Sequence, residues 1–269
     1  MAYQDEITHM DHGELEALQL CRLKRTLREC YERIPFYRKS FDDAGFDPSS
    51  VKTLDDIRRA PFTLKQDMRD AYPYDLFATP LDQVKEIHMS SGTTGIATVS
   101  GYTDHDLKIW GDCFARGIGY AGGDEGDVVH ICYGYGLFTG GLGAHYGGLA
   151  SGTTIIPMSA GNTKRQINIL RTMGSSIICC TPSYAMHIAD TAIEMGPKKD
   201  FPNLKAGING AEAFSDQFRE NLENKLGIKV YDIYGLTEVM GPGVAIECAE
   251  QNGLHIAEDH FYAEILDPK

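Results

Sequence analysis

No block of lysines and arginines occurs anywhere in the 269 residues. Twenty-five basic residues stand against 38 acidic ones, a formal net charge of −13, and the acidic excess is spread along the chain. This removes the basic face that nucleic acid or an anionic membrane would need, so neither is an expected partner. Long apolar runs are also missing: none approaches the ~18 residues that span a bilayer. The first residues, Met1 to Asp11, are polar and acidic and lack the apolar stretch of a secretory signal. There is no internal repeat, no low-complexity tract and no clear linker. The seven cysteines, odd in number, do not read as a paired framework. Cys21 and Cys30 fall on an expected helix, and Cys132, Cys179 and Cys180 fall in apolar strand-like runs. All read as reduced, buried thiols of a cytoplasmic protein. The Gly-x-x-x-x-Gly-Lys-Ser/Thr string of the common P-loop is not present either.

What is present supports a substantial core: 42% of the residues are hydrophobic, enough for one large domain or two small ones. Leu20, Leu23, Leu27, Cys30, Tyr31 and Ile34 recur at helical spacing, so Glu14 to Ile34 reads as an amphipathic helix with Asp11 at its N-cap. Thr63-x-x-Gln66 and Thr163-x-x-Gln166 read as capping boxes opening further helices, the second running to about Met173. Strand-like runs cover Val128 to Tyr133, Thr153 to Pro157, Ser176 to Cys180, a short run ending at Ile208, and Ile228 to Ile233. Pro182 opens one intervening helix and Ser215 caps another that ends near Leu226. Strands alternating with helices predict an α/β fold of βαβ layers with a mostly parallel sheet. A helical region over 1–85 and an α/β region over 86–269 are the expected divisions.

Two polar segments carry the chemistry. Ser90, Ser91, Gly92, Thr93, Thr94 and Gly95 pack hydroxyls and bare backbone into one loop, a composition that can wrap an anion. Tyr234-Gly235-Leu236-Thr237-Glu238 follows the apolar run ending at Ile233. It brings an aromatic ring, a hydroxyl and a carboxylate to a strand end, where parallel sheets bind ligands. Gly210-Ala211-Glu212 also follows an expected strand. A third patch, Tyr135, Gly136, Leu137 and Phe138, is aromatic and glycine-rich. Cys248, His255, Asp259 and His260 lie close in sequence, yet Cys-x6-His-x4-His is not a standard zinc spacing; Cys248, His255 and His260 stand as a candidate zinc set beside the simpler alternative of a strand end and surface histidines.

Together these segments resemble the adenylate-forming enzymes, and more narrowly the phenylacetate-CoA ligase family. Tyr72-Pro73-Tyr74, the run Gly134 to Gly141, Gly210 to Glu212, Tyr231 to Glu238 and Glu258 to Tyr262 match that family in order. The resemblance implies ATP-dependent activation of an aryl carboxylate through an acyl-adenylate, followed by transfer to the thiol of CoA. It implies phosphate binding by Ser90 to Gly95 and adenine stacking by Tyr234. Gly210, Ala211, Glu212, Gly235 and Asp232 would lie near the base. Thr237 would contact the α-phosphate and Glu238 would ligate Mg2+. Tyr135, Gly136 and Phe138 would line the acid pocket. A homodimer is implied as well. The family loop usually continues Gly-Lys-Pro, whereas this chain has Gly95-Ile96-Ala97. Family members are longer, so the chain is expected to correspond to the large N-terminal domain without the small C-terminal one, and to be impaired alone. Two alternatives follow: an adenylating ligase with a non-CoA acceptor, and a nucleotide-binding module without turnover.

Overall fold

The computed structural model describes residues 3–90, 95, 97–195 and 201–267. The chain divides into two compact units: Gln4–Thr103 with Ala257–Lys269, and Met1–Tyr3 with Asp104–Ile256.

The first unit is built on helices α1 (Asp5–Thr8), α2 (His12–Arg33), α3 (Pro35–Asp43) and α4 (Lys65–Asp70). It adds an antiparallel hairpin of β1 (Glu86–Met89) and β2 (Val99–Tyr102). Asp11 caps α2 as expected, its carboxylate accepting from the Gly13 amide at 2.9 Å. The apolar stripe of α2 packs on its own unit: Leu27 is buried with Phe41, Phe46 and Val51, and Leu20, Leu23 and Tyr31 close around them. The helix expected at Thr63 starts at Lys65 instead. Asp67 takes the Leu64 amide at 2.6 Å, while the Thr63 hydroxyl is paired with Tyr37 at 2.9 Å. A one-residue shift lets the Asp67 carboxylate, rather than Gln66, close the turn.

The second unit is a seven-stranded sheet covered on both faces. Its strands are β3 (Val128–Ile131), β4 (Thr154–Ile156), β5 (Ile177–Cys180), β6 (Ala206–Gly210), β7 (Lys229–Leu236), β8 (Gly241–Glu247) and β9 (Leu254–Ile256). Their order is β4-β3-β5-β6-β7-β8-β9. Pairing is parallel from β4 to β7 and antiparallel through β8 and β9. The helices are α5 (Asp104–Tyr120), α6 (Thr139–Ala150), α7 (Thr163–Thr172), α8 (Pro182–Glu194) and α9 (Asp216–Leu226). The mostly parallel α/β architecture expected from the alternation is what the chain adopts. Strand period 2 divides the core. Ile178, Cys180 and Val230 join Ile167, Leu170, Ile188 and Leu222 on one face. Ile177, Cys179, Ile208 and Ile233 join Phe114, Ile118 and Ile131 on the other. Burying each such side chain stabilises the fold by about 1.5–3 kcal/mol.

Two local expectations change. Gln166 is not a capping residue. It is fully buried; its Oε1 accepts from His130 Nε2 at 2.6 Å, and its Nε2 donates to the Ser159 carbonyl at 2.6 Å. Burial pushes the His130 imidazole below its ordinary value, so it stays neutral in this chain of polar groups. The seven cysteines are all free, but they are not all buried: Cys21 is exposed, and Cys30 and Cys248 are half-buried. Cys21 faces outward on α2 while the stripe beside it packs inward. Among the described residues no helix is long and apolar enough to cross a membrane.

Candidate active site

The parallel strands β3, β5, β6 and β7 end at one edge of the sheet, and most of the expected site residues gather there. β6 is buried throughout, and its last residue, Gly210, pairs with Ile233 of β7. A Cβ at Gly210 would meet the Ile233 carbonyl at 2.4 Å, so only glycine lets the strands close here. Ala211 follows with φ +70°, a conformation rare for a residue with a side chain. Glu212 then turns toward α8. Its carboxylate accepts from the Ser183 amide at 3.1 Å and the Ser183 hydroxyl at 2.9 Å, in the first turn of that helix. Thr181 caps the same turn by accepting from the Tyr184 amide at 3.3 Å.

β7 carries the second segment. The sequence places Tyr234 after the strand; in the structure the strand continues to Leu236, because β8 returns antiparallel and keeps residues 233–236 paired. The register shifts between Tyr234 and Gly235. This bulge turns the Tyr234 ring outward, leaving the residue 48% exposed. Gly235 lies so close to the returning strand that a Cβ there would sit 1.8 Å from the Gly241 carbonyl. Thr237 and Glu238 form a short 3-10 turn, with Thr237 buried and Glu238 half-buried. The turn closes through Met240 at φ +87°. The oxygens this turn carries are a hydroxyl and a carboxylate, both hard donors.

Behind this edge the network is polar and buried. Asp232 is half-buried, and burial, followed by the nearby Glu247 carboxylate, raises its carboxyl above the ordinary range. Glu247 accepts from the Asp232 amide at 2.7 Å and from Arg219. Trp110 of α5 fixes the start of β8 by donating to the Pro242 carbonyl at 2.9 Å.

The aromatic patch after β3 lies at the same sheet edge. The Tyr135 hydroxyl pairs with His145 Nδ1 at 3.2 Å, and the two rings meet edge to face. Gly136 has φ +147°, and Phe138 is exposed at the start of α6. Tyr133 lies two residues earlier, and its hydroxyl accepts the Gly210 amide at 2.9 Å.

Other expected residues lie elsewhere. Ser90 belongs to the unit containing the hairpin. Its amide donates to the Thr98 carbonyl and its hydroxyl accepts from the Thr98 amide, both at 2.9 Å, so it ties the two ends of its loop together. Gly95 has φ +129°. Ser91, Gly92, Thr93, Thr94 and Ile96 lie outside the described residues. The candidate zinc set is not assembled: among the described residues no three His, Cys, Asp or Glu side chains come together around a metal position. His255 packs against the Tyr120 ring. His260 instead sits with Asp259 at 3.1 Å and Arg22 at 3.2 Å, and Arg22 also donates to the Asp259 backbone carbonyl. The Glu-Asp-His segment thus anchors α2 within its own unit.

Tyr133, Ser183, Arg219 and Glu247 were not singled out by the sequence. Each works through a partner at least 28 residues away, and none carries a local pattern.

Residues 77–260 match the pattern of the AMP-binding enzyme family. The chain is 49% identical over 266 residues to the phenylacetate-coenzyme A ligase of Escherichia coli, covering 98% of this chain and 61% of that protein. It is 46% identical over 269 residues to the phenylacetate-coenzyme A ligase of Thermus thermophilus, covering all of this chain and 60% of that one. It superposes on 2-hydroxyisobutyryl-CoA ligase, solved with 2-HIB-AMP and CoA, with a TM-score of 0.92 at 29% identity, covering 98% of this chain and 58% of that chain. The chain thus spans about 60% of the length of the curated relatives it matches. The resemblance to phenylacetate-CoA ligases that the motifs suggest holds at this identity, and the chain belongs to the AMP-binding enzyme family.

Proposed function

We propose that this chain binds ATP and an aryl carboxylate of the phenylacetate class and supports their condensation to an acyl-adenylate, the first half of an acyl-CoA ligase reaction. A carboxylate oxygen attacks the α-phosphorus of ATP and pyrophosphate leaves. The thiol of CoA then attacks the acyl carbon and AMP leaves with the bonding electrons. Adenylation is needed because a carboxylate oxygen is otherwise a poor leaving group. The protein contributes alignment and charge stabilisation.

One observation carries this assignment. The turn Gly210–Glu212 and the segment Tyr234–Glu238 stand at the carboxyl ends of adjacent parallel strands, with the Tyr234 ring accessible for stacking. In this proposal Tyr234 stacks on adenine. Gly210, Ala211 and Glu212 border the base with Gly235 and Asp232, and Thr237 meets the α-phosphate. Glu238 offers a carboxylate to Mg2+, which when bound offsets triphosphate charge. Ser90 to Gly95 would supply hydroxyls and amides to the β- and γ-phosphates. Tyr135, Gly136 and Phe138 would border the acid. The named phenylacetate-coenzyme A ligases among the relatives support the choice of acid and of CoA. A cytoplasmic location and a homodimer complete the proposal.

Pyrophosphate release with ATP, Mg2+ and a panel of carboxylates tests it, with hydroxylamine as a trap for the adenylate. Release that depends on phenylacetate supports the proposal; none with any aryl acid, despite bound ATP, contradicts it. Parallel assays with CoA and with amines separate a thioester-forming ligase from one with another acceptor. A second possibility, nucleotide binding without turnover, is favoured by Ile96 where the family has lysine. Calorimetry that shows ATP binding with no pyrophosphate release would select it.

A further inference from the structure

The Gly210–Glu212 turn is held in an unusual shape from two sides. β5 ends at Cys180, whose last register partner on β6 is Asn209. Beyond that pair the chain of β5 leaves through Thr181 into α8, so the Gly210 amide points where the neighbouring strand has run out. Tyr133, just past β3 on the far side of β5, reaches across and accepts that amide at 2.9 Å. On the other side Glu212 is held by the amide and hydroxyl of Ser183 at 3.1 and 2.9 Å. Between the two tethers sits Ala211 at φ +70°, and Gly210 packs too close to Ile233 for any Cβ. A strained residue persists only where its surroundings over-determine it, and such residues cluster at ligand sites.

We propose that Tyr133 and Ser183 are positioning residues that hold the Gly210–Glu212 turn in the form that receives the adenine ring. Neither touches the nucleotide; each acts through the turn. The proposal rests on the nucleotide site proposed above. Burial pushes the Tyr133 hydroxyl well above its ordinary value, so it stays protonated at working pH and keeps lone pairs for the amide. Its ring packs against the core face that contains Ile208 and Ile233, so the hydroxyl alone can be removed without losing the packing.

Tyr133→Phe keeps the ring and deletes the acceptor, and Ser183→Ala loosens the exposed side of the turn while leaving the core untouched. For each variant, ATP affinity by calorimetry is measured beside amide hydrogen exchange at residues 210–212 and the melting temperature. The expected result for Y133F is an ATP dissociation constant raised about fivefold, with faster exchange at Gly210. S183A should raise it about twofold to threefold without lowering the melting temperature, a split that a merely structural role would not give. Faster exchange at Gly210 in Y133F with unchanged ATP affinity would overturn the proposal. So would unchanged affinity in S183A if Y133F does not fold. If the unaltered chain fails to bind ATP, the nucleotide site itself falls, and this proposal with it. If it binds and both variants bind equally well, the positioning role alone falls.

Discussion

Arg219 of α9 grips Glu247 of β8 with both arms of its guanidinium, at 2.5 and 2.8 Å. The carboxylate is almost fully buried and also accepts the Asp232 amide, while Arg219 donates to the Val230 carbonyl. A helix, the strand that bears Tyr234 and the strand that returns from it are thereby locked together just behind the candidate site. The forked geometry is the strongest form such a pair takes.

Removing one partner strands a buried charge. Glu247→Ala is therefore expected to destabilise the second unit by about 3–5 kcal/mol, seen as a lower urea midpoint. Replacing both partners by apolar residues of similar volume should recover most of that loss, because no charge is then left unpaired. Equal destabilisation of the single and double variants would contradict the pairing.

Asp232 makes an opposite contribution. Burial and the Glu247 carboxylate raise its carboxyl in the folded state above the unfolded value. The folded chain therefore binds that proton more tightly. The stability it contributes is full below the ordinary carboxylate range and is lost as pH rises through the raised value. Asp232→Asn is expected to be more stable than the natural chain at pH 7, with the advantage shrinking as the pH is lowered toward about 4, while ATP binding weakens. Thermal melts across that range check it, and an advantage that grows on acidification would refute it.

Gly235 tests the bulge. With a Cβ 1.8 Å from the Gly241 carbonyl, Gly235→Ala cannot keep the paired turn. A loss of about 3 kcal/mol or more is expected, together with loss of nucleotide binding. A variant that melts like the natural chain would show that the close approach is not needed.

Ile96 stands where the resemblance implies a lysine after the proposed phosphate loop. Ile96→Lys is expected to tighten ATP binding about fivefold at low salt, with the gain shrinking as ionic strength rises. A gain independent of salt would point away from a phosphate contact.

Much of this molecule was legible in the sequence. The parallel strands showed as short apolar runs because both sheet faces are covered, and Asp11, Pro182 and Ser215 mark helix starts through backbone chemistry that acts within one turn. The Tyr234 segment and the Gly210 turn stand out because each follows an apolar run, and the runs are strands. What escaped was set by distant partners. Gln166 has the spacing of a capping residue, but His130 draws it into the core. Tyr234 has the look of a loop residue, but β8 returns to pair with it. Cys248, His255 and His260 are close along the chain, yet no metal-holding group of three forms among the described residues: His255 packs on Tyr120, and His260 pairs with Asp259. Tyr133 shows no pattern because its role is to meet an amide 77 residues onward.

Titration of ATP with Mg2+ into the chain and into its Tyr234→Ala variant is the most direct test. Binding to the natural chain should be saturable, and binding to the variant about tenfold or more weaker, the worth of one lost base–aromatic stack. Equal affinity in the two proteins, or no binding to either, would contradict it.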